Sequence, residues 1–66
     1  MTTYVLRWAD GSTPFFADTL AEIAARFDLP GFDAADAAFY ADMPAHEIDI
    51  EIRDEAGDKL AWIVSA

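Results

Sequence analysis

Residues 47–64, EIDIEIRDEAGDKLAWIV, contain two alternating segments joined by a run of turn-forming residues, and this pattern constrains the fold more than any other. Ile48, Ile50 and Ile52 occupy every second position, which is the period of a strand that buries one face. Large apolar side chains return within residues 60–64. The segment therefore predicts a β-hairpin with one apolar face.

The same pattern predicts the register of the hairpin. A five-residue loop at 54–58, in which Gly57 adopts positive φ, keeps the large apolar side chains of both strands on one face. The expected pairs are Ile52 with Leu60, Ile50 with Trp62, and Ile48 with Val64. A slip of one residue would place the second strand's large side chains beside the acids of the first. We therefore expect the outer face to carry Ala61 and Ile63 instead.

Two further strands are expected in the N-terminal part of the chain. Residues 3–8 alternate, with their largest side chains on one side, and Asp10-Gly11 marks the turn after them. Residues 14–17 favour a short second strand. We place it at a sheet edge because Pro14 has no amide to donate to a neighbouring strand.

Two helices are expected between the strands. Apolar residues at helical spacing predict the first one; they are Leu20, Ile23, Ala24 and Phe27. Thr19 and Glu22 fit a capping box at its start, and Leu29-Pro30-Gly31 ends it. The second helix begins with Asp33 as its N-cap and ends at Met43-Pro44.

Together these elements predict one α+β domain over residues 1–66: a small antiparallel sheet of three to four strands with two short helices packed on one face. A chain of this size buries only about 60% of its unfolded surface, so we expect both tryptophans and all five phenylalanines to contribute to the core. No cysteine can form a disulfide. The N-terminus does not resemble a signal peptide and no apolar run is long enough to span a membrane, so we expect a complete cytoplasmic protein.

Charge is the most informative functional signal. The chain has 13 acidic and 4 basic residues, for a formal net charge of −9. This sign disfavours direct binding to nucleic acid or to an anionic membrane. The acids are concentrated in and after the first strand of the hairpin, where only Arg53 and Lys59 are basic. The candidate partner-binding residues are Glu47, Asp49, Glu51, Asp54, Glu55 and Asp58.

Three interpretations of this acidity remain open. It can serve solubility or adaptation to salt. It can form a surface for a basic protein partner, since complementary fields accelerate encounter. The carboxylates can also stand in for DNA phosphates, because residues two apart on a strand lie about 6.6 Å apart and each DNA strand advances about 3.4 Å per phosphate. The carboxylate row would then match every second phosphate.

Catalytic and metal chemistry find little support in the sequence. Paired carboxylates need a cleft that moves their pKa values apart, and a chain this short has little room for one, so we expect no enzyme. His46 is the only histidine. The acids around Gly57 lack the alternating ligands and the terminal glutamate of a calcium-binding loop, so we expect neither a metal site nor a cofactor.

A small, acidic, cysteine-free domain that ends in EIDIEIRDEAGDKLAWIVSA resembles the inhibitors that phages make against bacterial defence nucleases. It is most similar in character to anti-CRISPR proteins, and among them to inhibitors of type I-C surveillance complexes. The resemblance covers the whole chain in size, charge and element order, and it rests on no diagnostic motif. It implies an inhibitor that occupies the basic DNA-binding site of a CRISPR-Cas effector subunit in the host cytoplasm. We expect a monomer. The alternative is an antitoxin or another acidic protein that neutralises a basic partner.

Overall fold

The computed structural model describes residues 2–66 and has the predicted α+β fold. Four strands form one antiparallel sheet in the order β2-β1-β4-β3, so β2 and β3 are its edges. Both helices pack on one face, the inner face, and the opposite side is called the outer face. The elements are β1 Tyr4–Trp8, β2 Phe15–Ala17, α1 Leu20–Arg26, α2 Ala34–Ala41, a 3-10 helix Ala45–Glu47, β3 Asp49–Arg53 and β4 Lys59–Ser65.

The N-terminal hairpin confirms the edge strand predicted at residues 14–17. β2 pairs antiparallel with β1. The connection between them contains Gly11, whose φ of 86° favours glycine. The Ser12 amide donates a hydrogen bond to the Asp10 carboxylate (2.8 Å). Hydrogen bonds from the Ser12 side chain and amide lower the pKa of Asp10.

Both helices begin where the sequence predicts. The Thr19 hydroxyl accepts a hydrogen bond from the Glu22 amide (3.2 Å), which is half of the expected capping box. The complete box forms at α2 instead. There Asp33 accepts from the amides of Ala35 and Asp36, while the Asp36 carboxylate accepts from the Asp33 amide (3.1 Å). These bonds, chiefly that from the Asp36 amide, lower the pKa of Asp33.

The core lies between the helices and the inner face. Its buried members are Leu6, Ala17, Leu20, Ile23, Leu29, Phe32, Ala37, Ile48, Ile50, Ile52, Ala61 and Ile63. Partly buried aromatic rings extend it beside α1. Trp8 and Phe15 both meet Phe27 edge to face, at centroid distances of 5.4 Å and 5.1 Å. Such pairs add stabilisation beyond the area that they bury.

The register predicted for the C-terminal hairpin is wrong by one residue along most of its length. The loop has the predicted five residues, because Arg53 pairs with Lys59. A β-bulge follows, with Leu60 as the extra residue on β4. The pairs beyond it are Ile52 with Ala61, Glu51 with Trp62, Ile50 with Ile63 and Asp49 with Val64. The predicted pairs of isoleucines with Leu60, Trp62 and Val64 do not form.

The central position of β4 explains this shift. β4 also pairs with β1, where Leu6 lies opposite Ile63 and both side chains are 0% exposed. A strand between two neighbours must turn the same face to the core as both of them do. Ala61 and Ile63 therefore point inward, Trp62 points outward, and the bulge at Leu60 reconciles this face with the five-residue loop. The expectation that Ala61 and Ile63 lie on the outer face is wrong, since Ala61 is also fully buried.

Not every large aromatic side chain belongs to the core. Phe16 on β2 and Phe39 on α2 are 57% and 71% exposed. Trp62 is only half-buried on the outer face, where the Lys59 Nζ lies 4.3 Å from its ring centroid. The expectation that both tryptophans and all five phenylalanines build the core is wrong for these three residues. The strand or helix that carries each of these residues determines which way its side chain points, and the hydrophobicity of the side chain does not.

Candidate functional site

Strand β3 places two of the six candidate carboxylates on the outer face, at the edge of the sheet. Asp49 and Glu51 are exposed, and the residues between and after them are buried isoleucines. Their cross-strand neighbours are Val64 and Trp62. Because directly paired residues of antiparallel strands project to the same face, the direct cross-strand neighbours of these acids are apolar side chains.

Glu47 does not continue this carboxylate row. It lies in the 3-10 helix Ala45–Glu47, where its amide donates a hydrogen bond to the Pro44 carbonyl (2.9 Å). Strand β3 begins only at Asp49. The prediction that Glu47 shares the strand with the other two acids is therefore wrong, because Pro44 starts a tight turn that delays the extended conformation.

The loop at 54–58 uses one of its carboxylates to hold its own conformation. Asp54 Oδ1 accepts hydrogen bonds from the amides of Ala56 (2.9 Å) and Asp58 (3.0 Å). Aspartate side chains commonly stabilise turns in this way. Asp54 is therefore engaged within the loop, whereas the side chains of Glu55 and Asp58 are exposed and form no hydrogen bond within residues 2–66.

Positive charge on the outer face more than offsets the two acids of β3, because Arg7, Arg53 and Lys59 lie on the same face. Arg53 forms a salt bridge with Glu51, and its Nη1 also donates to the Gly57 carbonyl (2.7 Å). The two paired side chains are 57% and 42% exposed, so water screens the interaction and its effect on stability is small. No other ion pair forms within residues 2–66, and Asp49 thus has no cationic partner there.

The sequence did not reveal the apolar part of this surface. The pairing runs across the outer face from Phe16 to Val5, then to Val64, and finally to Asp49 at the far edge. Trp62 lies in the adjacent row, between Arg7 and Glu51. Trp62 would have been recognisable from the sequence only if β4 had been placed beside β1, because that neighbour determines which face of β4 is buried. The direction of Phe16 depends instead on its pairing with Val5 on β1.

A concave region lies between the end of α1 and the start of α2. It is an open depression of about 360 Å³, near the lower end of the sizes typical of ligand pockets. Two of its charged side chains are already engaged: Asp33 caps α2, and the Arg26 guanidinium lies 5.4 Å from the Phe15 ring centroid. Within residues 2–66 every buried side-chain nitrogen or oxygen has a hydrogen-bond partner. The depression therefore presents no buried polar atom that awaits a ligand.

In the part of the chain that the structure describes, no group of three or more histidine and carboxylate side chains is placed to hold a metal ion. None of the helices in residues 2–66 is long and apolar enough to cross a membrane. The chain matches no protein-family model, no curated protein and no solved structure.

Proposed function

We propose that the protein is a non-enzymatic inhibitor that binds a basic, nucleic-acid-binding surface of another protein and excludes DNA from it. The observation that carries this proposal is the position of Asp49 and Glu51, which are exposed on the outer face at a sheet edge in a chain of net charge −9. A groove on a partner protein can reach the edge of a sheet. The net negative charge of the chain attracts basic surfaces over about a Debye length.

The spacing of the carboxylates supports mimicry of a phosphate row. Asp49 and Glu51 are two residues apart on one strand, which corresponds to about 6.6 Å, or about two phosphate steps along one DNA strand. Glu55 and Asp58 extend the negative field beyond the end of the strand. Because Glu47 leaves the strand and Asp54 is engaged in its loop, we assign the contact to the other four acids, of which Glu51 must exchange its exposed pairing with Arg53 for a cation of the partner.

The resemblance to inhibitors of type I-C surveillance complexes identifies the first partner to test. The purified effector complex is loaded with labelled target DNA, and the protein is titrated into it at low and moderate salt. We expect it to displace the DNA, and we expect the displacement to weaken as salt rises because exposed charges are screened.

A pair of charge-reversal variants separates a specific surface from total charge. Asp49→Lys with Glu51→Lys changes the net charge from −9 to −9 + 4 = −5. Asp28→Lys with Asp42→Lys makes the same change just beyond the C-terminal ends of the two helices, where cations are favourable. We expect the first variant to lose displacement and the second to retain most of it.

Each contrary outcome has a definite meaning. Equal loss in both variants would show that total charge, and not the outer face, determines inhibition. Full activity of the Asp49→Lys, Glu51→Lys variant would overturn the assignment of the surface. If the wild-type protein displaces no DNA at any salt concentration, the type I-C effector is not its target.

A further inference from the structure

Strand β3 is an open edge of the sheet, because it pairs with β4 on one side only. The Asp54 amide donates a hydrogen bond to the Asp58 carbonyl (2.9 Å), so the backbone of Asp54 is directed toward β4. Backbone direction alternates along a strand, and Ile52 and Ile50 therefore also bond to β4. The edge residues, whose amides and carbonyls point away from the sheet, are Asp49, Glu51 and Arg53.

The bonds on the other side of β4 agree with this alternation. The Leu60 carbonyl accepts from the Ala9 amide (3.0 Å), and the Ala66 amide donates to the Thr3 carbonyl (2.8 Å). Even-numbered residues along β4 thus face β1, and odd-numbered ones face β3. Proline and bulges commonly protect sheet edges. β3 has neither, since the bulge lies on β4, whereas the other edge strand, β2, has only three residues and follows Pro14.

The charges of the β3 edge are complementary to those of a second copy. When two such edges meet antiparallel, outward-facing residues must lie opposite outward-facing residues, which allows only every second register. In the register centred on Glu51, each Asp49 lies opposite the Arg53 of the other copy. The inner face matches as well, because each Ile50 lies opposite the Ile52 of the other copy and extends the apolar core across the contact.

The two neighbouring registers fit less well. A register centred on Ile50 places Asp49 opposite Glu51 in both halves, and like charges directly opposite one another are destabilising. A register centred on Ile52 places Ile50 opposite the Asp54 of the other copy. The favoured register has one unfavourable pair, Glu51 with its own equivalent, and the salt bridge from Arg53 within each copy reduces that repulsion.

We propose that two copies of the chain pair antiparallel through β3, about a two-fold axis at Glu51, and join their sheets into one. The inference goes beyond the proposed function, which uses the carboxylates of β3 and not its backbone edge. The net charge of −9 opposes association, but salt screens it at long range, and the outer face beside the contact has three basic residues with its two acids. The edge is short, so we expect a weak dimer with a dissociation constant of about 0.1 mM, and a monomer in dilute solution.

Disulfide trapping tests the register. The chain has no cysteine, so each variant has a single thiol. In Glu51→Cys the two thiols lie opposite each other, with Cα atoms about 5.5 Å apart, which is within disulfide range. Asp49→Cys and Arg53→Cys are on the same edge and face, but each lies about 13 Å along the strand from its equivalent. We expect Glu51→Cys to form the covalent dimer about tenfold faster than either control under mild oxidation.

Charge variants separate local pairing from net charge. Asp49→Arg places an arginine opposite Arg53 and changes the net charge to −9 + 2 = −7. Asp28→Arg makes the same change beyond the end of α1. In sedimentation equilibrium at about 0.15 M salt we expect Asp28→Arg to strengthen the dimer slightly and Asp49→Arg to weaken it about fivefold. Asp49→Arg with Arg53→Asp restores both the opposite pairs and the net charge of −9, so it should regain the affinity of the wild type.

The contrary results are equally definite. A wild-type protein that remains monomeric up to about 1 mM would overturn the proposal. Equal trapping rates for the three cysteine variants would refute the register, and equal strengthening by Asp49→Arg and Asp28→Arg would show that net charge alone governs association. The displacement of DNA is measured at micromolar concentration, where the protein is monomeric, so failure of the dimer leaves the proposed function standing.

Discussion

Truncation of two adjacent residues on β4 tests the register on which the outer face depends. Ile63 is 0% exposed at the centre of the sheet, between Leu6 and Ile50, whereas its neighbour Val64 is half-buried on the outer face. Replacing Ile63 by alanine leaves a cavity between two fixed strands, which limits how far the site can relax. Buried isoleucine-to-alanine changes cost about 2–5 kcal/mol, and we expect about 3 kcal/mol here.

The matched change Val64→Ala should cost about 1 kcal/mol or less, because it removes two methyl groups that are already partly in contact with water. A protein of 66 residues has a free energy of unfolding of about 3–10 kcal/mol, so Ile63→Ala can remove a large fraction of it. Ile63→Val, at about 1 kcal/mol, provides a milder member of the series.

Urea denaturation followed by far-UV circular dichroism measures these differences, provided that the slope of the transition is unchanged between variants. The observed register requires Ile63→Ala to be much more damaging than Val64→Ala. The alternative register, in which Leu60, Trp62 and Val64 are buried, requires the opposite order. A cost of Val64→Ala equal to or above that of Ile63→Ala would therefore refute the bulge and the composition of the outer face.

Two further predictions concern local structure. The pKa of Asp33 is lowered in the folded state, so its contribution to stability is present above its unfolded pKa and is lost as the pH falls through the folded value. Asp33→Asn, which keeps a capping side chain, should thus be less stable than the wild type near pH 6 and closer to it below about pH 3, as thermal melts over this range would show. Gly57→Ala should cost about 1 kcal/mol in urea denaturation, because φ is 86° and the added Cβ meets no atom within 4 Å, and a much larger loss would reveal a steric cause instead of backbone strain.

The parts of the fold that could be predicted from the sequence depend on local interactions. Thr19 and Asp33 cap the helices through amides two or three residues away. The five-residue loop of the hairpin is equally local, because Asp54 and Gly57 determine its geometry within the loop. In each case the residues that determine the element lie inside it or next to it, so a sequence pattern is sufficient.

The register of β4 could not be predicted in this way, since it depends on β1 as well as on β3. Hydrophobic alternation favours burying Leu60, Trp62 and Val64, and the pairing of β4 with β1, which places Ile63 opposite Leu6, reverses that preference. The error in the register of β4 had less effect on the prediction of the candidate acids. Whether Asp49 and Glu51 are exposed depends on the alternation within β3 alone, and that prediction does not change when β4 shifts.

The shift of β4 also changes how the outer face would attract a partner. It brings Val64 beside Asp49 and Trp62 beside Glu51, where the predicted register had small or aliphatic side chains. An arginine that binds at these acids would displace water from their apolar neighbours, and attraction between charges is stronger where water is excluded. Glu55 and Asp58, at the exposed tip of the hairpin, have no such surroundings. Binding through the strand acids should therefore weaken less as salt rises than binding through the tip acids.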